Sequence, residues 1–437
     1  MRITVIGCGY LGATHAACMA ELGHDVLGVE IDDTKRATLT DGRVPFHEPG
    51  LEELLGRHVA SGRLRFTDSF AEAGEFGDLH FLCVGTPQAA IGLGADLSAV
   101  FAATEALAPH LRRPTLLVGK STVPVGTATR LAERLAALAP VSAGTELAWN
   151  PEFLREGYGV ADTLRPDRLV LGVDSERSEK ILRGFYSAAI DAGTPVVVTD
   201  FATAELAKVS ANAFLATKIS FINAIAEVCD ASGADVTDLA DAMGYDPRIG
   251  RSFLNAGIGF GGGCLPKDIR AFVHRAGELG VDDAMSFLRQ VDEINQRRRA
   301  HLVTTAVELL DGRPTGRRVG VWGAAFKPES DDVRDSPALW IAGQLHLRGA
   351  EITVYDPRAS DSARHTFPTL AYAASALDAA RDADLVLHLT EWQEFRDLDI
   401  DQVTAVVRRP MLLDGRNVLD FAAWRDAGWT VHGFGRR

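Results

Sequence analysis

The first thirty residues constrain the fold of this chain more than any other stretch. Residues 2–6, RITVI, form a short apolar run of strand character, and Gly7-Cys8-Gly9-Tyr10-Leu11-Gly12 follows without a spacer into a helix-like run ending at Leu22. A second strand, Asp25 to Val29, ends in Glu30. The glycines alone would mean little. Between two strands they allow a tight turn and close approach to a pyrophosphate, whose charge suits a helix N-terminus, while the acid suits ribose hydroxyls. The pattern predicts a dinucleotide-binding βαβ unit. Glu30 favours NAD over NADP because a carboxylate repels a 2′-phosphate, and Lys35 is placed at the ribose or in solvent.

The same alternation continues. Strands are predicted at 63–68, 79–85, 115–121, 146–150, 168–173 and 195–200, separated by helix-length segments, which implies a doubly wound parallel sheet. Two strands run into Gly85-Thr86-Pro87 and Ser121-Thr122-Val123-Pro124, loops at strand ends where ligands bind in such sheets. Phe201 to Asp230 contains neither Pro nor Gly and repeats its apolar positions at helical spacing, so one long spine helix, or two in line, is expected. On it Lys208 and Asn212, four apart, share a face. After Gly312 to Gly316 a second series begins with RRVGVWG (317–323), a helix near 336–347 and EITVYDP (351–357). Asp356 ends its second strand, yet the glycine fingerprint is missing, so this domain is expected to hold a different nucleotide. The fold class is therefore α/β: two Rossmann-like doubly wound domains joined by a long central helix. Their expected limits are 1–200, 201–312 for the helical middle, and 313–437.

Length and composition agree with this. At 437 residues the chain exceeds one hydrophobic core, and 46% hydrophobic with 24% charged residues describes a globular protein. No apolar run is expected to approach a membrane span, and the apolar N-terminus reads as folded structure, not a signal peptide. A net charge of −14 argues against a general nucleic-acid partner. Five cysteines without a C-x-x-C pair point to a reducing cytoplasm.

Gly259 to Asp268, GFGGGCLPKD, carries the chemistry. Glycines 261–263 permit a tight turn, Pro266 suits an early helical position, and Cys264 then falls near the N-cap, where amide N–H groups favour a thiolate. Asp268 follows four residues on, on the same face. A structural Cys in a glycine-rich turn is the bland alternative; the glycine run and the Cys-to-Asp spacing favour a nucleophile.

These segments, with PFHEPGLEELL (45–55), VGTP (84–87), STVPVGT (121–127), NPEFLREG (150–157), RPDRLVLG (165–172) and FKPESDDVRDSP (326–337), closely resemble the UDP-glucose 6-dehydrogenase branch of the nucleotide-sugar dehydrogenases, over essentially the full length. The resemblance implies two NAD-dependent oxidations at one carbon, turning the 6-hydroxymethyl group of UDP-glucose into a carboxylate with two NADH per turnover. Cys264 would add to the aldehyde, giving a thiohemiacetal and then a thioester that water hydrolyses. Lys208 and Asn212 would stabilise the oxyanions, Asp268 would hold or activate water with Thr122 completing the hydrogen bonding, and Glu152 would assist thioester hydrolysis. The implied NAD contacts are Gly7, Gly9, Tyr10, Leu11, Gly12, Glu30, Lys35, Thr86, Thr122, Glu156, Lys267 and Arg334. The implied sugar-nucleotide contacts are Glu152, Phe153, Leu154, Arg155, Glu156, Lys208, Asn212, Arg248, Asn255, Phe260, Gly261, Phe326, Lys327 and Arg416. The residue matching Arg248 reaches a neighbouring subunit's site in the family, which implies a homodimer or higher homo-oligomer; no metal is implied.

The chain departs from the family at Gly263, where Ser is frequent, in the loop Gln88 to Asp96, and at Tyr158-Gly159. Siblings acting on dTDP-glucose, GDP-mannose or a UDP-N-acetylhexosamine share this chemistry. A hydroxyacid dehydrogenase of the 6-phosphogluconate type would need neither Cys264 nor a second Rossmann-like domain. A nucleotide sensor would need none of Cys264, Lys208, Asn212 and Asp268.

Overall fold

The computed structural model describes residues 1–140 and 144–436. The chain forms two compact units: Met1–Ala211 with Arg270–Gly280, and Asn212–Ile269 with Val281–Arg437. The first unit is built on β1 (Arg2–Ile6), β2 (Asp25–Val29), β3 (Leu64–Thr67), β4 (Leu79–Leu82), β5 (Leu116–Gly119), β6 (Glu146–Trp149), β7 (Leu169–Val173) and β8 (Val196–Thr199). They lie in the order β3-β2-β1-β4-β5-β6-β7-β8. The order reverses between β1 and β4, and that switch point opens the ligand crevice of such sheets at the strand C-termini.

Alternation along the strands divides the core between the two faces. Ile3, Val5, Phe81, Leu116 and Val118 join one cluster, whereas Ile6, Leu82, Leu117, Leu147 and Trp149 join the other. Both faces are covered, so central strands are apolar throughout, as in β4 and β5. One expectation needs correction. The β6–β7 pair is antiparallel, with Trp149 opposite Gly172. The intervening helix, Gly159–Leu164, has six residues and spans only about 9 Å, too short to carry the chain back along the sheet for a parallel return.

The second unit holds β9 (Arg318–Trp322), β10 (Glu351–Tyr355), β11 (Ala371–Tyr372), β12 (Leu385–His388), β13 (Met411–Asp414) and β14 (Thr430–His432), ordered β11-β10-β9-β12-β13-β14 and parallel throughout. Its core gathers Trp322, Phe395, Trp424 and Trp429 with aliphatic residues of every strand but the edge strand β11.

The spine helix runs from Phe201 to Ser232, unbroken, and leads from one unit into the other. Among the described residues it alone is long and apolar enough to cross a bilayer, contrary to the expectation that no segment would be. Glu205, Lys208 and Asn212 interrupt its apolar pattern as buried polar groups.

Candidate active site

In the first unit the glycine turn is made as its spacing implies. Gly7 has φ +86° and donates its N–H to the Val29 carbonyl, and a Cβ on Gly12 would stand 1.8 Å from the Gly7 oxygen. Gly9 caps the helix Tyr10–Glu21 without any side-chain partner for the first turn, and a Cβ there would meet open space. This combination of a close backbone turn and uncapped N–H groups fits the pyrophosphate of NAD. Glu30 is buried at the end of β2 and accepts from the amides of Cys8 and Asp32. Lys35 is exposed, and its amide is spent on the Asp32 cap. The cation beside Glu30 is instead Arg36, which donates to the Glu30 carbonyl and pairs with Asp33 and Asp68. With two carboxylates on that guanidinium and a third in Glu30, a 2′-phosphate meets a negative environment.

The loops after β4 and β5 are knitted together: Thr86 Oγ1 donates to the Thr122 carbonyl at 2.8 Å, and Ser121 Oγ to that of Val84 at 2.6 Å. The loop after β6 brings Glu152 to Lys208, with Nζ 3.1 Å from Oε1. Phe153 lies between two cations, the Arg168 guanidinium 3.8 Å and the Lys208 ammonium 5.5 Å from its ring centre. The Leu154 amide donates to Glu152, which orders the turn.

Glu48, within the 45–55 motif but given no role by sequence, anchors the same loop. It is buried, accepts from the Gly157 amide at 2.7 Å and from the Tyr10 hydroxyl, and with burial it raises the Tyr10 phenol well above its ordinary range. Its signal was available: a Glu between His47 and Pro49 just ahead of an amphipathic helix. Glu205 also went unnoticed. Its carboxylate accepts from the amides of Gly126 and Ala128 at the start of the helix Thr127–Leu138, and burial lifts its pKa to about 7 although those amides pull it down.

In the second unit Cys264 is exposed, and its carbonyl accepts from the Asp268 amide, so it occupies the N-cap of the helix Leu265–Glu278. Asp268, four residues on, is buried and is gripped from both sides, by Asn212 Nδ2 at 2.6 Å and Lys267 Nζ at 2.6 Å. A Cβ on Gly263 would lie 2.3 Å from the Arg334 guanidinium carbon, so glycine at this position gives that cation room beside the thiol loop. Arg334 itself is held by Asp332 through Nε and Nη2. Gly261 is pressed against the Asp335 carbonyl, and Gly262, at φ +84°, against the Phe326 ring.

Arg416 braces this loop. Its guanidinium donates to the carbonyls of Leu389, Gly259 and Phe326. Phe260 is fixed by Asn295, which both accepts from its amide and donates to its carbonyl, and by Arg299. Sequence gave no sign of these two, because they sit on the helix Phe287–Leu309, far along the chain from the loop they hold. Lys327 lies with its ammonium 5.7 Å from the Phe326 ring centre. Asp356, the counterpart of Glu30, is buried and filled by the amides of Ala324, Ala325, Arg358 and Ala359. It has no lone pair to spare for a ribose, consistent with the missing fingerprint.

Three predicted contacts are not drawn into these clusters. Arg155 is exposed and bound through both side-chain and backbone nitrogens to Asp162. Arg248, also exposed, forms a two-pronged pair with Asp246. Asn255 accepts from Arg251 at 2.7 Å. Phe253, between Arg248 and Asn255, has φ +66°, a conformation that a bulky residue adopts only under constraint.

Comparison with known proteins agrees with both units. The family models for the UDP-glucose/GDP-mannose dehydrogenase family match as an NAD binding domain over residues 1–190, a central domain over 202–297 and a UDP binding domain over 320–421. A UDP-glucose 6-dehydrogenase of Rhizobium meliloti is 40% identical over 436 residues, 99% of this chain and 98% of that protein. The solved UDP-glucose dehydrogenase of Pyrobaculum islandicum superposes with a TM-score of 0.91 at 38% identity, covering 100% of this chain and 98% of its own. The UDP-D-ManNAc dehydrogenase of Pyrococcus horikoshii gives 0.87 at 26% identity, with 100% and 99% covered. With its glycine turn, its Cys264 N-cap and three consecutive domain matches, the chain belongs to the UDP-glucose/GDP-mannose dehydrogenase family and is an NAD-dependent oxidoreductase.

Proposed function

We propose that this enzyme oxidises UDP-glucose to UDP-glucuronate at C6, in four electrons and through a covalent bond to Cys264. One observation carries the reading: two residues one turn apart on the spine helix, Lys208 and Asn212, are each bound to a carboxylate of the expected set, Glu152 at 3.1 Å and Asp268 at 2.6 Å. An ammonium and an amide on one helix face suit an oxygen that becomes negative during reaction, and the carboxylates keep both side chains oriented.

When bound, NAD supplies the hydride acceptor for both oxidations. In the first, the C6 hydroxyl gives its proton to the water that Asp268 holds, and C6 becomes an aldehyde. An aldehyde has no easily lost second hydride until a nucleophile adds. The Cys264 sulfur then forms a bond to C6, and Lys208 with Asn212 holds the resulting oxyanion. The second oxidation converts this thiohemiacetal into a thioester. Water, positioned by Asp268 and assisted by Glu152, attacks the thioester carbon; the C–S bond breaks, giving the carboxylate and the thiol. Splitting one difficult oxidation into covalent steps is what Cys264 contributes. Tyr10, Thr86, Thr122 and Glu156 fall to the cofactor side, and Phe260, Lys327 and Arg416 to the nucleotide side, with Lys267 and Arg334 beside the thiol loop.

The site works in a homodimer in the cytoplasm. Phe214, Phe221 and Val228 are 65%, 45% and 60% exposed, and their seven-residue spacing aligns them on one face of the spine helix, an apolar stripe suited to a second copy. Exposed Arg248 is then available to the partner.

The test is NADH formed per sugar nucleotide with limiting UDP-glucose and excess NAD. Two per UDP-glucose are expected. One would remove the covalent role of Cys264, and turnover confined to dTDP-glucose or GDP-mannose would keep the chemistry and move the substrate.

A further inference from the structure

We propose that Lys120 is a positioning residue for Glu152: its buried ammonium pins the turn after β6 from which Glu152 reaches Lys208. The inference rests on the role given to Glu152 in thioester hydrolysis.

Lys120 follows β5 directly, one residue before the 121–127 motif, and is only 7% exposed. Its Nζ donates to Asn150 Oδ1 at 3.0 Å and, at 3.5 and 3.4 Å, to the Asn150 carbonyl and the Tyr186 hydroxyl. Tyr186 in turn donates to Asn150 Oδ1 at 2.6 Å, and Asn150 Nδ2 donates to the Val170 carbonyl at 2.9 Å. Asn150 thus has its side chain and carbonyl committed. Two residues later comes Glu152, so the start of the turn is anchored while its carboxylate reaches towards Lys208.

A buried ammonium is costly, and here hydrogen bonds to Asn150 and Tyr186 hold it, so that it fixes those acceptors at the foot of the turn. The groups that face it are His15 from the helix Tyr10–Glu21, Cys83 after β4, Glu152 after β6, Tyr186 after the helix Glu176–Phe185, and Lys208 from the spine helix. Burial pushes the ammonium below the ordinary lysine range; Cys83 and Glu152 oppose this, and Lys208 adds to it. His15 is held neutral by burial and by Lys120, and burial drives the Cys83 thiol up to about 12. Lys120 and Glu152 line one recess in the first unit, with Asn150, Phe153, Arg168 and Tyr186.

The experiment compares Lys120→Met, Glu152→Gln and the double variant with NAD and UDP-glucose, reading kcat and KM. Retained NAD binding and a cooperative melting transition establish folding. Lys120→Met is expected to lower kcat about tenfold with KM within about threefold. In the Glu152→Gln background the same change should cost less than about twofold, because a group acting through Glu152 has nothing left to act on. Lys120→Gln, neutral but able to bond Asn150, supplies a second variant and should recover most of the lost kcat. Additive losses, or no recovery in Lys120→Gln, would make Lys120 merely structural and overturn the inference. Wild-type turnover in Glu152→Gln would remove the role of Glu152 itself, and the inference with it.

Discussion

Replacing Arg416 by Met should cost the second unit about 3 kcal/mol, and the number can be worked from its contacts. The side chain is 11% exposed, so its guanidinium is largely desolvated. Removal strands the carbonyls of Leu389, Gly259 and Phe326, which it meets at 2.7, 3.3 and 2.9 Å. Each stranded acceptor is worth about 1 kcal/mol once partial access to water is allowed for. Glu391, 3.1 Å away but 34% exposed, adds little, because solvent screens that pair. Urea unfolding followed by tryptophan fluorescence is a suitable assay, since Trp322, Trp340, Trp392, Trp424 and Trp429 all lie in the second unit and only Trp149 in the first. With a slope of about 3 kcal/mol per molar urea, the midpoint of the second unit should fall by about 1 M. Arg416→Lys should recover less than half of this, because one ammonium cannot reproduce a planar fork to three carbonyls. UDP at a hundredfold excess over its Kd should raise the wild-type midpoint by a further ~1 M, from about 2.7 kcal/mol of linkage, and the variant's by less because the Gly259–Phe260 backbone is no longer braced. A midpoint shift under about 0.3 M, or full recovery by Lys, would refute the reading of Arg416 as a brace for the thiol loop.

Other outcomes follow from single contacts. Gly12→Ala puts a methyl group 1.8 Å from the Gly7 oxygen, and NAD affinity by NADH fluorescence should drop at least about tenfold while UDP binding is kept. Glu205 is a carboxyl whose folded pKa, about 7, is raised above its unfolded value by burial. Its contribution is therefore full below about pH 4.3 and is lost as pH rises through 7. Stability of the first unit should decline by up to about 3 kcal/mol across that window, and Glu205→Gln should flatten the slope in pH-dependent melting. Phe221→Glu, on the exposed stripe of the spine helix, should shift the mass measured by light scattering towards the monomer, with NAD affinity unaltered.

Much of the fold was legible because its signals are local. Ten of the fourteen described strands lie within the apolar runs read above as strands, and parallel strands buried on both faces must be apolar throughout. β11, two residues long and on an edge, has no run to mark it. The antiparallel return of β7 was not legible, since strand direction depends on how far the connecting helix travels. Among candidate site residues, Gly7, Gly12, Cys264, Lys208 and Asn212 announced themselves through spacing. Glu205, Asn295, Arg299 and Lys120 did not, because each acts on a loop distant along the chain, and only packing reveals the acceptor.

What the sequence by itself determined is therefore the set of local geometries: a glycine turn ahead of a helix, an acid at a strand end, a cysteine at an N-cap with Asp268 one turn on, two polar side chains on one helix face. These follow from backbone dihedrals and the periods of helix and strand. The tertiary structure decided which charge meets which. It set Glu152 against Lys208 and Asp268 between Asn212 and Lys267, spent the Asp356 carboxylate on its own amides, and turned Arg416 inward to hold the thiol loop. Hydrogen bonds and ion pairs act over a few ångströms in space irrespective of separation along the chain, so their partners exist only once the sheets have formed.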